Sequence, residues 1–277
     1  MRLLFKRFKR QLNYMKKRFL VLFLIVLFSG IFYFFWFAPK YVVPILMYHN
    51  IGYEKGGFFV TPENFAKQMM YIKKNGYEVI TLDELVRSIK DKKNLKRNKV
   101  VITFDDGYKD NFQYAYLVLK KLEFPATIFL VTDFIGKKFT GEGKEFMNWD
   151  EVMVMSKDKI SFGGHTKAHL YLGLMNDEKV ALDEITGSKK AIEERIDMPV
   201  DYFCYPSGGF NEKVKELVAQ AGYKGACTTN RGFAKLNRDV YELKRIKVTN
   251  SDAAKPFSFW VKLSGYYNIL RKEKNPD

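Results

Sequence analysis

Histidine is scarce in this chain of 277 residues; only His49, His165 and His169 occur. Cysteine is scarcer, with Cys204 and Cys227 alone. Two cysteines exclude a disulfide-stapled scaffold, although an oxidising compartment would permit one bridge. Both lie in strand-like stretches, and buried free thiols are the expected state. There is no internal repeat and no low-complexity linker, which excludes a solenoid or a string of modules. Acidic residues are missing from positions 1–18, where eight Lys or Arg stand. That arm supplies half of the formal net charge of +16. The remaining excess reads as solvated lysine. It forms no clustered stripe and no nucleic-acid module, so no nucleic-acid partner is expected.

After the arm comes Phe19–Ala38, twenty residues without a charge. As a helix such a run spans about 30 Å, the hydrocarbon thickness of a bilayer. The basic arm should stay cytoplasmic and the remainder should lie outside. Tyr33 and Trp36 near the exit suit an interfacial aromatic belt. A cleavable signal peptide would have a shorter core and small residues at a cut site. Here the run ends in Phe-Trp-Phe-Ala-Pro, which favours an uncleaved anchor. The expected organisation is a cytoplasmic arm at 1–18, a transmembrane anchor at 19–38 in contact with membrane lipid, and one extracytoplasmic domain at 39–277.

Within that domain, strand and helix signals alternate about seven times, which predicts a parallel α/β barrel. Strands are expected at Val42–Tyr48, Tyr77–Thr81, Val100–Phe104, Ala126–Val131, before Gly163-Gly164, and at Tyr202–Tyr205, Tyr223–Thr228 and Tyr241–Val248. Thr61-Pro62-Glu63 reads as a helix start, with Thr as N-cap and Pro at the first helical position. Further helices are expected at Leu82–Lys90, Tyr108–Leu122, Trp149–Met155, Asp177–Asp197, Glu212–Ala221 and Pro256–Leu270, and a loop at Phe134–Asn148.

The chain is organised around Val100–Tyr108, VVITFDDGY. A β-branched strand delivers Asp105 and Asp106 to its C-terminal tip, and Gly107 turns the chain. Two carboxylates that close need a cation or hydrogen-bond donors to remain anions. A strand-to-turn junction satisfied by Asp-Gly is the plainer alternative. Two of the three histidines follow in Gly163-Gly164-His165-Thr166-Lys167-Ala168-His169, an H-x-x-x-H spacing. Four residues make about one helical turn, so both imidazoles could face one point. Two imidazoles and a carboxylate suit a divalent metal of the zinc kind with a position left open.

These residues carry a resemblance. Thr103–Gly107 (TFDDG) and His165–His169 (HTKAH) resemble the first two motifs of the polysaccharide deacetylases, the NodB-homology domain of carbohydrate esterase family 4. Phe203–Gly208 (FCYPSG) is similar to that family's tyrosine-proline loop. The likeness runs over Pro44–Val248. It implies a distorted, incomplete (β/α) barrel and a metal, Zn2+ first, held by Asp106, His165 and His169. It also implies Asp105 as general base and the backbone N–H of Tyr205 as an oxyanion donor. The family's usual late histidine is absent. In the permuted poly-N-acetylglucosamine deacetylases of biofilm systems the histidine comes from an early Tyr-His segment, which Tyr48-His49 matches. The resemblance thus implies His49 as the acid for the leaving amine. The arginine that usually precedes the tyrosine-proline loop is replaced by Phe203-Cys204. Arg245 could substitute by approaching Asp105, against the plainer reading of a surface salt bridge.

The implied function is hydrolysis of N-acetyl groups on an extracytoplasmic polysaccharide containing N-acetylglucosamine. An O-acetyl esterase acting on xylan or peptidoglycan, a catalytically idle carbohydrate-binding protein, and a membrane scaffold that recruits partners are the competing readings.

Overall fold

A computed structural model of the chain describes residues 2–53, 58–93, 95–139, 143–230 and 237–270. Residues 1–41 and 42–277 form two compact units. In the first, the basic arm and most of the apolar run share one helix, α1 (Arg2–Phe32). No proline or glycine precedes Gly30, so nothing local stops the helix at the change of polarity. Its apolar side chains are exposed along its length, and by length and composition it could cross a membrane. A π-helical turn at Tyr33–Phe37 and a 3-10 turn at Ala38–Lys40 follow.

In the second unit the chain alternates strands with helices. The strands are β1 (Ile45–Tyr48), β2 (Glu78–Val79), β3 (Lys99–Phe104), β4 (Ala126–Leu130), a small hairpin of β5 (Lys138–Phe139) and β6 (Lys144–Glu145), β7 (Ile160–Gly164), β8 (Tyr202–Cys204), β9 (Gly225–Thr228), β10 (Leu243–Lys244) and β11 (Ile246–Lys247). Between and after them lie α2 (Pro62–Lys74), α3 (Leu82–Lys90), α4 (Tyr116–Leu122), α5 (Trp149–Ser156), α6 (Glu178–Ile196), α7 (Glu212–Gln220), α8 (Ser251–Ala254) and α9 (Pro256–Leu263). The Thr61 cap is present, its hydroxyl accepting from the Asn64 N–H, and Pro62 opens α2 as expected.

The main sheet runs β10-β9-β8-β7-β4-β3-β1-β11, parallel throughout, with β2 beside β3. Its closure is local. The expected strand Tyr241–Val248 is broken at Arg245, so that Leu243 and Lys244 pair with Cys227 and Thr228 while Ile246 and Lys247 pair with Leu46 and Met47. One short segment thus serves both edges of the sheet and nearly closes the barrel, which removes the exposed edges an open sheet would present. Every residue of β1, β3, β4, β8 and β9 is buried. Alternation then sorts their side chains. Leu46, Tyr48, Ile102, Phe104, Ile128, Leu130 and Phe203 join the core against the surrounding helices. Thr103, Phe129 and Cys204, on the opposite register, face the guanidinium of Arg245 inside the barrel.

Two expectations shift. The helix foreseen over Tyr108–Leu122 begins with a π-helical turn, Asn111–Ala115, before α4. The C-terminal helix foreseen as Pro256–Leu270 ends at Leu263, because Gly265 takes φ +77° and the chain resumes as a 3-10 turn at Tyr267–Leu270. Part of the loop foreseen at Phe134–Asn148 lies outside the described residues.

Candidate active site

The site sits beyond the C-terminal ends of β1, β3, β7 and β8, where parallel barrels gather functional side chains. Asp105 continues the inward face of Thr103, two residues earlier on β3. Asp106 then takes φ +72° and Gly107 φ +78°. A Cβ on Gly107 would lie 2.7 Å from the Leu130 side chain, so both the conformation and the space call for glycine. This tight turn aims two successive carboxylates at different neighbours.

Asp105 is 2 % exposed and faces Arg245, which is 3 % exposed. The guanidinium donates to both carboxylate oxygens, at 2.6 Å to Oδ1 and 2.7 Å to Oδ2. It also donates to Thr103 Oγ1 at 3.2 Å and to Cys204 Sγ at 3.0 Å. Burial works to raise the Asp105 pKa, yet the charge and hydrogen bonds of Arg245 outweigh it and hold the carboxyl below its ordinary value. The reading of Arg245 as a surface salt bridge is therefore overturned. It sits at the break between β10 and β11, inside the barrel.

Asp106 turns to the histidines. Its Oδ1 lies 3.4 Å from His165 Nε2 and 3.5 Å from His169 Nε2. These imidazoles do not meet across a helical turn, as the spacing suggested. Thr166 and His169 have φ of +61° and +60°, so the segment is a loop that curls back on itself. It is pinned from α6, where the buried Glu184 carboxylate accepts from the N–H groups of Lys167 and Ala168, both at 2.9 Å. From β4, the His165 N–H donates to Leu130 O at 3.0 Å. His165 Nδ1 is 2.7 Å from the Cys204 carbonyl. A carbonyl only accepts, so Nδ1 carries a proton and the ring is fixed with Nε2 facing Asp106.

Asp106 Oδ1 is buried and lacks a hydrogen-bond partner among the described residues. Donor atoms of Asp106, His165 and His169 all lie within 4.8 Å of one another. Two ligands at about 2.1 Å from a tetrahedral ion are about 3.4 Å apart, which matches the spacing of Asp106 from each imidazole. The donor set therefore fits a divalent metal ion of the zinc type.

His49 directly follows β1, with Nε2 3.8 Å from Asp105 Oδ2, too far for a hydrogen bond. The Asn111 side chain donates to its backbone carbonyl at 2.8 Å, and Phe58 packs against its ring at 4.6 Å between centroids. Burial depresses the imidazole pKa more than the neighbouring carboxylates of Asp105 and Asp106 raise it. Tyr205 does not fill the role expected of it. Its backbone N–H donates to Cys227 O at 3.1 Å as part of the sheet, which leaves no free donor for an oxyanion. Its side chain is buried against Phe210, with the hydroxyl on Tyr241 O, and forms part of the barrel wall. Cys204 and Cys227 are buried free thiols, aligned on adjacent strands.

Sequence reasoning missed Glu184 and Asn111, which hold the histidines in place. Each is a single polar residue within a helical stretch and carries no motif signal.

A nearly closed parallel barrel with acids and imidazoles gathered at its C-terminal mouth is the architecture of a (β/α)-barrel enzyme. The family model described as polysaccharide deacetylase matches residues 92–226. YxkH of Bacillus subtilis, provisionally named a polysaccharide deacetylase, is 31% identical over 219 residues, which cover 79% of this chain and 76% of that protein. The poly-beta-1,6-N-acetyl-D-glucosamine N-deacetylase of Staphylococcus epidermidis is 25% identical over 209 residues, 70% of this chain and 69% of that one. The solved structure of the Streptococcus pyogenes deacetylase PplD, in complex with acetate, superposes with a TM-score of 0.71 at 25% identity, covering 79% of this chain and 97% of that one. The chain belongs to the polysaccharide deacetylase family and is a hydrolase of that class.

Proposed function

We propose that this protein removes N-acetyl groups from a polysaccharide containing N-acetylglucosamine, outside the cytoplasm, with a divalent metal ion held by Asp106, His165 and His169. Zn2+ is the first choice for that donor set. The observation that carries the reading is the convergence of those three side chains beside an Asp105 kept ionised by Arg245. The name of the staphylococcal relative supports the choice of N-acetylated glycan as substrate.

When bound, the ion would polarise the acetyl carbonyl and lower the pKa of water at the site. Asp105 accepts the proton of the attacking water; held ionised, it is ready to do so at neutral pH. Arg245 fixes that carboxylate through two parallel hydrogen bonds, so the base cannot swing toward the ion. His49 donates a proton to the departing sugar amine. Its depressed pKa makes proton release easy, and the donating form is lost as pH rises. Phe58 and Asn111 hold its ring and backbone. Residues 19–38 serve as the membrane anchor, with 1–18 cytoplasmic and the deacetylase domain, residues 39–277, outside.

The test is acetate release by the full-length protein from β-1,6-linked N-acetylglucosamine oligomers, run beside an O-acetylated xylan. Acetate from the first substrate, abolished by Asp105→Asn, is expected. Release only from xylan would make the protein an O-acetyl esterase, and glycan binding without acetate from either would make it an idle binding protein.

A further inference from the structure

Helix α9 has two unlike sides. Phe259 and Leu263 are buried, whereas Phe257 is 74% exposed and Trp260 47% exposed. The two exposed rings stack on each other, with centroids 5.6 Å apart and planes 29° apart. They form one preformed apolar surface rather than two scattered side chains. The helix cannot roll to bury them. Lys262 on the same helix is held by Asp252 Oδ2 at 2.6 Å and by Lys247 O at 2.8 Å, both inside the domain. Rolling would break a buried ion pair.

Covalent geometry fixes where this surface lies along the chain. The Val42 N–H donates to Gly265 O at 2.9 Å, two residues beyond the end of α9. At 1.5 Å per helical residue, Trp260 and Phe257 are about 8 and 12 Å from that bond. On its other side only Pro39, Lys40 and Tyr41 separate Val42 from Ala38, where the apolar run ends. Those four steps reach about 14 Å at most. If Phe19–Ala38 spans a bilayer, the aromatic pair is tethered within about 30 Å of the point where the chain leaves the hydrocarbon. Tryptophan and phenylalanine on one side of a helix are the side chains that partition into that interface.

We infer that Phe257 and Trp260 are a second membrane contact, inserted in the outer headgroup layer beside the anchor. This rests on reading residues 19–38 as an uncleaved span. Such a contact limits the swing of the barrel on its short linker and fixes the direction in which the mouth faces the polymer.

The chain has three tryptophans, so two single-tryptophan variants separate the contact from the anchor. Full-length protein is reconstituted in phosphatidylcholine vesicles with or without lipid brominated high on the acyl chain. Trp36→Phe with Trp149→Phe leaves Trp260 as reporter, and Trp149→Phe with Trp260→Phe leaves Trp36. The expected result is a blue-shifted Trp260 emission that loses most of its intensity on brominated lipid, with Phe257→Ser reducing that loss. Quenching of Trp36 but not Trp260 would overturn the inference and leave the anchor standing. Quenching of neither removes the anchor and the inference together. A blue-shifted, unquenched Trp260 with a cross-linked dimer would give this surface to a second copy instead, and would also overturn it.

Discussion

Arg245 and Asp105 lie 140 residues apart in sequence, yet the guanidinium meets both carboxylate oxygens, at 2.6 and 2.7 Å, inside the barrel. The pair sits where the last strand breaks to close the sheet, so barrel closure and placement of the proposed base are one structural event. A lysine cannot reproduce two parallel donors. Arg245→Lys should therefore lower kcat by about 10- to 100-fold while metal content stays near that of the parent. Arg245→Ala should also unfold earlier, since a buried carboxylate left unpaired costs about 3–5 kcal/mol. Steady-state kinetics, metal analysis and urea unfolding read the three effects.

Much of the site was legible because local chemistry wrote it. Asp105-Asp106-Gly107 after an apolar strand marks a strand tip, and the histidines are rare enough to stand out. What the sequence concealed is long-range. The H-x-x-x-H spacing suggested a helix, but Thr166 and His169 take left-handed backbone angles imposed by Glu184 and by the end of β4. Tyr205 looked like an oxyanion donor because sequence does not show that its N–H is already committed to Cys227. For Arg245 the approach to Asp105 stood beside the plainer reading of a surface salt bridge, since nothing near it in the sequence signals the strand break that turns it inward.

Asp105 and Asp106 are neighbours with separate proposed tasks, and one substitution in each should separate them. Asp106→Asn removes a ligand charge from the trio with His165 and His169 and should leave the purified protein with little metal. Asp105→Asn should keep the metal and lose turnover by about 100-fold or more. Equal metal loss in both variants, measured by plasma emission spectrometry, would contradict the division of roles.

Glu184 touches neither the proposed ion nor substrate, but it holds the loop between the two histidines through two backbone N–H groups at 2.9 Å. Glu184→Ala leaves those donors unpaired between His165 and His169. Metal affinity, measured by competition with a chelating dye, should fall by about 10- to 100-fold. Activity should recover when excess metal is supplied, a recovery that loss of folding would not allow.

His49 should matter in proportion to how badly the leaving group needs a proton. With an N-acetylglucosamine oligomer, whose leaving amine must be protonated, His49→Asn should lower kcat by about 100- to 10,000-fold. With an activated aryl acetate, whose phenolate departs unaided, the loss should shrink to a few-fold. A similar loss on both substrates would assign His49 to binding rather than proton transfer.

The buried pair of Asp252 and Lys262 gives a pH signature that does not involve the site. Its atoms are 2.6 Å apart, with side chains 3% and 9% exposed. Asp252 also accepts from the Thr249 N–H and hydroxyl and from Ser258, so it ties α8, α9 and the end of β11 together. Burial opposes ionisation of the carboxyl, but Lys262 and the Thr249 donors win and hold its pKa below the ordinary value. A carboxyl depressed in the folded state binds its proton more readily once unfolded. Its contribution is therefore complete above the unfolded value, about 3.9, and is lost as pH falls through the lower folded value. Asp252→Asn leaves a buried ammonium without its counter-charge and should cost about 3–5 kcal/mol at neutral pH. That deficit should narrow below about pH 4, where the parent loses the advantage and the variant has none to lose. Urea unfolding of the two proteins from pH 7 down to about pH 3 measures the gap; a gap that stays constant across that range would show that Asp252 is not held ionised by Lys262.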